Sequence, residues 1–267
     1  MTFADVKENE QRLQLVCLED GMKERLLDLL LEEKRMRLKG GLYHQTQIKF
    51  AFNSNRIEGS RLSEDQTRYI FETNTVDTAA DETADVDDII ETVNHFACFD
   101  FMLENAMEDL SEAMVKEFHR LLKRNTSDET KKWFRVGDYK VRPNMVGDLE
   151  TVAPDRVAFE MNKLLVSYLE KEYPDIDDIV EFHHKFEIIH PFQDGNGRVG
   201  RIIMFKECLK YDVMPFIIGY EHKLFYYRGL REFNSEKGYL MDTCLSAQDR
   251  YEAMVAYFFP DLHRDAR

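Results

Sequence analysis

Apolar residues along this chain return mostly at every third or fourth position, the spacing that lines one face of an α-helix. Between Glu8 and Arg37, Leu13, Val16, Cys17, Leu26, Leu27 and Leu30 recur among Glu, Lys and Arg, which predicts a long amphipathic helix closed by Gly40 and Gly41. Ser63 and Gln66 have capping-box spacing and open a short helix. Val86, Ile89, Ile90, Val93, Phe96, Ala97 and Phe101 predict a helix over 84–107, and similar patterns cover 113–123, 154–171, 175–189, 198–209 and about 239–259. One stretch breaks the period. FRVGDYKVRPNMVG, Phe134 to Gly147, sets Val136, Tyr139 and Val141 beside the turn residues Gly137, Pro143 and Asn144, and reads as a short β-hairpin. The expected fold is all-α, with one hairpin and a helical N-terminal extension.

Composition narrows the partners. With 267 residues and 43% apolar content the chain can bury one sizeable core and still carry an arm. A net charge of -15 makes nucleic acid an unsuitable partner, because phosphate-backbone binding needs clustered Lys and Arg. Cys17, Cys98, Cys208 and Cys244 form no CxxC pattern, which argues against a zinc ribbon or a disulfide framework and suits a reducing compartment. The opening residues show no signal-peptide h-region and no apolar run reaches membrane-spanning length, so a cytoplasmic protein without membrane contact is expected. The acidic run from Asp77 to Asp88 reads as a solvated loop and helix start.

One segment does not look like scaffolding: IIHPFQDGNGRVGR, Ile188 to Arg201. It gathers a histidine, a carboxylate, glycines, an asparagine and two arginines, types that packing alone gives no reason to collect. If one helix stops before His190 and Pro191 and another starts near Arg198, the loop between them feeds a helix N-terminus. Unpaired N–H groups and the helix dipole make such a terminus an anion hole. Gly195 and Gly197 can take positive φ and allow close approach of a phosphate, and Asn196 can add a side-chain amide donor. Arg198 and Arg201, three apart, share a helix face where their forks suit terminal phosphate oxygens. Asp194 would repel an anion unless a cation bridges them, as Mg²⁺ does between a carboxylate and phosphates. His190 can accept a proton near neutral pH and suits a general base for a hydroxyl. Together these residues suit transfer from a nucleotide to a hydroxyl.

Residues 190–201 match without a gap the HPFx[DE]GNGRxxR signature, and the chain thereby resembles the Fic family. The resemblance implies a Fic-type helical core over 84–259 and a flap at 134–154, with an N-terminal helical region at 1–83 and a tail at 260–267. It implies a protein adenylyltransferase that moves AMP from Mg-ATP to a Ser, Thr or Tyr hydroxyl of a target protein, itself included. In that reading His190 is the base, Asp194 the magnesium ligand, Gly195, Asn196 and Gly197 the anion hole, and Arg198 and Arg201 the phosphate clamps. The flap residues Gly137, Asp138, Tyr139, Lys140 and Val141 would pair with the target's backbone by strand addition.

The resemblance also makes FNSNRIEGSRL, Phe52 to Leu62, readable. Glu58 precedes a helix-stopping Gly59, so its charge sits at the negative end of a helix dipole and wants a cation. Arg56 and Arg61 are the near partners. Ser54, Glu58 and Gly59 resemble the family's inhibitory [ST]xxxE[GN] motif, which implies that Glu58 pairs instead with Arg201 and keeps a terminal phosphate off its clamp. Some relatives reverse the reaction, with the equivalent glutamate positioning water, so a de-AMPylating hydrolase or related phosphotransferase is the alternative. A nucleotide-sensing helical module is the alternative from another class. Some relatives add a DNA-binding domain after the last helix, and with few residues after about 259 none is expected here.

Other candidates read as structure. His183, Glu187 and His190 share a helix face but lack the HExxH order of a zinc site, and His183 and His184 are expected to pack. Phe225, Tyr226 and Tyr227 are expected to be core more than an adenine slot. His44, His95, His119, His222 and His263 carry no chemical pattern. The amphipathic N-terminal helix can pack on its own core or on a second copy, so a homo-oligomer is compatible with the pattern.

Overall fold

The computed structural model describes residues 25–78, 83–147, 149–260 and 262. Leu13, Val16 and Cys17 of the predicted first helix, and most of the tail, lie outside the described residues. Ten α-helices and a two-stranded hairpin make up the fold among those residues, so the all-α expectation holds. No helix among them is long and apolar enough to cross a membrane.

Arg25 is extended (φ -90, ψ 148), so the described part of the predicted first helix begins at Leu26. Helix α1 (Leu26–Met36) places Glu33 beneath the next helix, where its carboxylate accepts the Tyr43 N–H at 2.7 Å and acts as a borrowed cap. Helix α2 (Leu42–Glu58) ends at Gly59, whose φ of 112 lets the chain turn back sharply. Helix α3 (Glu64–Thr73) opens on the predicted Ser63 and Gln66 capping box. Helices α4 (Val86–Glu104) and α5 (Glu112–Lys123) then pair with each other.

The hairpin lies further along than the sequence reading put it. Its strands are β1 (Met145–Val146) and β2 (Leu149–Glu150), antiparallel with Met145 opposite Glu150 and Val146 opposite Leu149. Gly147, at φ 58, supplies the turn conformation. Gly137 (φ 77) and Pro143 interrupt the earlier stretch, where Tyr139 and Lys140 turn inward and are buried. Residues 137–141 are thus the root of the flap, and the exposed strands follow them.

Helix α6 (Val157–Leu169) leads to α7 (Ile176–Ile189), which starts on a capping box of Asp175 and Asp178. Helix α8 (Asn196–Lys210) is buried along nearly its whole length, packed against α7, α5, α2 and α4. Phe205 on α8 meets Phe50 of α2 and Phe99 of α4 at ring centroids 5.3 and 5.4 Å apart. A helix buried on all sides has no polar stripe, so its charged residues must find partners inside. Helices α9 (Lys223–Glu232) and α10 (Gly238–Phe258) close the fold against each other. The sequence pattern missed α9, because the run Phe225, Tyr226 and Tyr227 hides its period.

Candidate active site

Two helix ends meet at the candidate loop. Helix α7 stops at His190, which takes the left-handed conformation (φ 51, ψ 62) and returns its N–H to Phe186 O at 2.9 Å. Gly195 (φ 82) opens α8 without a side-chain cap, so the first N–H groups of α8 stay free to face an anion. Asn196 does not add its amide to that set. Its Oδ1 accepts the Phe192 N–H at 2.8 Å and its Nδ2 donates to Phe192 O at 2.9 Å, closing the loop on itself.

The two arginines differ in their partners. Arg201 is buried and donates Nη2 to Glu58 Oε1 at 2.6 Å, and it also reaches Ser54 Oγ (3.1 Å) and Ser54 O (3.0 Å). Arg56 instead donates to Ser60 O, so the nearer cation is not the partner of Glu58. A methyl group on Gly197 would stand 2.4 Å from Glu58 Oε1, so the glutamate lies directly over the glycine loop. Arg201 Nη1 has no acceptor although it is buried, a donor left over for an anion. Arg198 pairs with Glu91 of α4 and, at 3.2 Å, with Asp194. Its Nε is likewise unpartnered.

Asp194 is half exposed, and Lys123 Nζ lies 2.7 Å from its Oδ2. Burial would raise its pKa, but Arg198 and Lys123 outweigh that and hold the carboxyl well below the usual range. Among the described residues no group of three or more His, Cys, Asp and Glu is arranged to hold a metal. The donor set nevertheless fits Mg²⁺, which takes one ionised, partly exposed carboxylate together with phosphate oxygens and water.

Helix α5 supplies two residues that the sequence did not flag. Buried Lys123 also bonds Glu91 and Asp128, each at 2.6 Å. His119 lies flat on Phe192, with ring centroids 4.0 Å apart and planes 2° from parallel. Its Nδ1 accepts the Gly137 N–H at 2.9 Å, so Nε2 carries the proton and donates to Asp194 O at 3.2 Å. Burial, then Lys123, pushes its pKa down to about 3, so the ring stays neutral. His119 thus joins Gly137 to the loop before α8.

The His190 ring is mostly buried, with Nδ1 3.8 Å from Glu187 Oε2. Burial first, then Lys140, pushes its pKa down to about 4, against the opposing influence of the Glu187 backbone, Glu58 and Asp194. His190 is therefore neutral around pH 7. Glu187 is pushed up to about 8, by burial and then by Glu58, with Arg201 opposing.

Of the remaining candidates the two histidines and Tyr226 pack, whereas Phe225, expected in the core, does not. His183 Nε2 meets the Tyr226 hydroxyl at 2.7 Å and His184 stacks on Phe233 at 4.2 Å. Tyr226 is core, Tyr227 donates to Ile57 O at 3.2 Å, and Phe225 is exposed. Of the flap residues, Gly137 meets His119, Asp138 pairs with Lys116 at 2.9 Å and Val141 is exposed. A cleft of about 800 Å³ beside Lys34, Tyr43 and Phe71 holds none of the loop residues.

Residues 109–208 match the Fic/DOC family. The chain is 28% identical over 222 residues to the protein adenylyltransferase Fic of Nematostella vectensis, covering 76% of this chain and 49% of that one. It is 26% identical over 199 residues to the protein adenylyltransferase fic-1 of Caenorhabditis elegans, covering 72% and 38%. The chain therefore spans about half or less of the length of these relatives. Among solved structures, a Fic-domain signaling protein from Bacteroides thetaiotaomicron superposes with a TM-score of 0.65 at 22% identity, covering 89% of this chain and 92% of that one. C. elegans Fic-1 superposes with a TM-score of 0.66 at 20% identity, covering 96% and 74%. These likenesses establish a shared fold.

Proposed function

We propose that this chain is an autoinhibited protein adenylyltransferase that moves AMP from ATP to a hydroxyl of a protein, a reading supported by the match of residues 109–208 to the Fic/DOC family. The relatives named as protein adenylyltransferases support the reaction class. The observation that carries the regulation is the Glu58 to Arg201 pair, 2.6 Å long and lying over Gly197. The guanidinium best set to hold a terminal phosphate already holds a carboxylate.

The chemistry then runs through residues of this chain. The free N–H groups at the start of α8 and the unpartnered Arg201 Nη1 receive phosphate oxygens once Glu58 gives way. Asp194 would hold Mg²⁺, which when bound neutralises phosphate charge. Neutral His190 accepts the proton of the target hydroxyl as its oxygen bonds to the α-phosphorus. The bond from that phosphorus to the β-phosphate oxygen breaks, and pyrophosphate leaves. The flap strands offer backbone groups to the target, and His119 and Lys140 hold the flap root to the loop.

Intact mass after incubation with ATP and Mg²⁺ tests this reading on wild type, Glu58→Gly, and Glu58→Gly with His190→Ala. One added adenylyl group in the Glu58→Gly form alone is the expected result. Equal nucleotide binding by wild type and Glu58→Gly, with no covalent product on the protein or on lysate proteins, would overturn it.

A further inference from the structure

Three backbone carbonyls around His190, those of Ile189, Pro191 and Phe192, are gripped by one segment from elsewhere in the chain. Lys140 donates its ammonium to Ile189 O at 3.3 Å and its backbone N–H to Pro191 O at 2.9 Å. Asn144 Nδ2 donates to Phe192 O at 3.0 Å. The carbonyls immediately before and after His190 are thus both held by Lys140.

The ammonium is buried, and its other bonds go to Asn144 Oδ1 (2.7 Å) and Thr151 Oγ1 (2.6 Å). All three of its donors are used, and all on neutral acceptors. Burying a cation without a carboxylate is costly, and here burial pushes the ammonium's pKa down to about 8. A staple meant only to close the hairpin could avoid that cost with an uncharged donor. His190 meanwhile holds a left-handed backbone, which for a residue with a Cβ persists only where the surroundings impose it. Lys140 holds the peptide group that enters this turn, through Ile189 O, and the peptide group just beyond its exit, through Pro191 O.

We propose that Lys140 is a positioning residue for His190, fixing the turn that aims the imidazole at the anion loop. The role rests on the reading of His190 as the general base. Lys140 also acts on the ring as a charge. The groups that face it are Glu187 from α7, Glu58 from α2, Asp194 from the loop and Lys140 from the flap root, and only the last is cationic. Lys140 therefore favours the proton-free ring that a base requires.

The test is an NMR titration of the His190 ring in the full chain carrying Glu58→Gly, alone and with Lys140→Met or Lys140→Arg, the signal being assigned by His190→Ala. Lys140→Met is expected to raise the His190 midpoint by about one pH unit, a tenfold change in proton affinity. It is also expected to lower kcat at least about tenfold while leaving KM for ATP within about twofold, the pattern of an interaction made in the transition state. Lys140→Arg, which keeps charge and donors, restores both. An unchanged midpoint and unchanged kcat in folded Lys140→Met would reduce Lys140 to a flap staple and overturn the proposal. If Lys140→Met does not fold, Lys140→Gln replaces it under the same criteria. The titration needs no turnover, so loss of transfer in the Glu58→Gly parent would count against the activity while the positioning role is still decided by the midpoint.

Discussion

Lys123 Nζ and Asp194 Oδ2 stand 2.7 Å apart, and the same ammonium meets Glu91 and Asp128. One buried cation thus orders three carboxylates from α4, the segment after α5 and the anion loop. Removing it leaves Glu91 and Asp194 with Arg198, and Asp128 with Lys131, to compensate. Lys123→Met is expected to destabilise the fold by about 3–5 kcal/mol, the usual cost of breaking a buried pair from one side. Chemical denaturation of the two proteins at pH 7 measures it, and a loss under about 1 kcal/mol would show that the network is solvated.

Removing the charge of Glu58 should strengthen ATP binding. Opposite charges about 4 Å apart at an effective dielectric near 20 attract by about 4 kcal/mol, part of it offset by desolvation. If half remains as a net barrier, Glu58→Gln binds ATP about tenfold to thirtyfold more tightly than wild type. Calorimetric titration in the presence of Mg²⁺ gives the ratio directly.

Transfer should tolerate acid to an unusual degree for a histidine base. With its pKa pushed down to about 4, His190 is free of its proton at pH 5 and above. In a Glu58→Gly background the acid limb of kcat/KM is expected near pH 4 in place of the ordinary 6.5. Single-turnover rates in buffers matched for ionic strength locate that limb; a midpoint at 6 or higher would mean that the ring is solvated.

Glu187 should make the protein less stable as pH rises. Its folded pKa of about 8 lies above the ordinary carboxyl value near 4.3, so between those limits the folded chain holds a proton that the unfolded chain has lost. Its contribution is fully present below about pH 4.3 and is lost on approaching pH 8, at no more than about 1.4 kcal/mol per unit. Glu187→Gln, which is neutral throughout, is expected to flatten this slope. Thermal unfolding between pH 5 and 8 reads the difference.

Much of the site was legible because it is contiguous. The run from His190 to Arg201 carries its own helix stop, glycines and arginines, and Gly59 marks the end of α2 beside Glu58. What stayed hidden comes from distant segments or from burial. Glu91 and Lys123 look like ordinary charges on helix surfaces, and nothing local says that they meet Asp194 and Arg198 inside the protein. His119 sits in a helix with no motif, and its role depends on Gly137 and Asp194 arriving from two other segments. Asparagine is a good donor, and nothing local shows that the tight turn at Phe192 engages the Asn196 amide. The pattern around Val136, Tyr139 and Val141 puts Lys140 in the hairpin, whereas the pairing strands form only after Pro143.

In the proposed autoinhibition the Glu58 carboxylate and a terminal phosphate want the same guanidinium, and this gives the block a particular character. Such a block is a competitor tethered to the enzyme, so its strength is set against nucleotide supply and not by an on or off position. Ser54, Asn55 and Ile57 in the last turns of α2 are buried, which holds that competitor at a fixed local concentration. On that reading, output is expected to rise smoothly with ATP over the range in which nucleotide and carboxylate compete for Arg201.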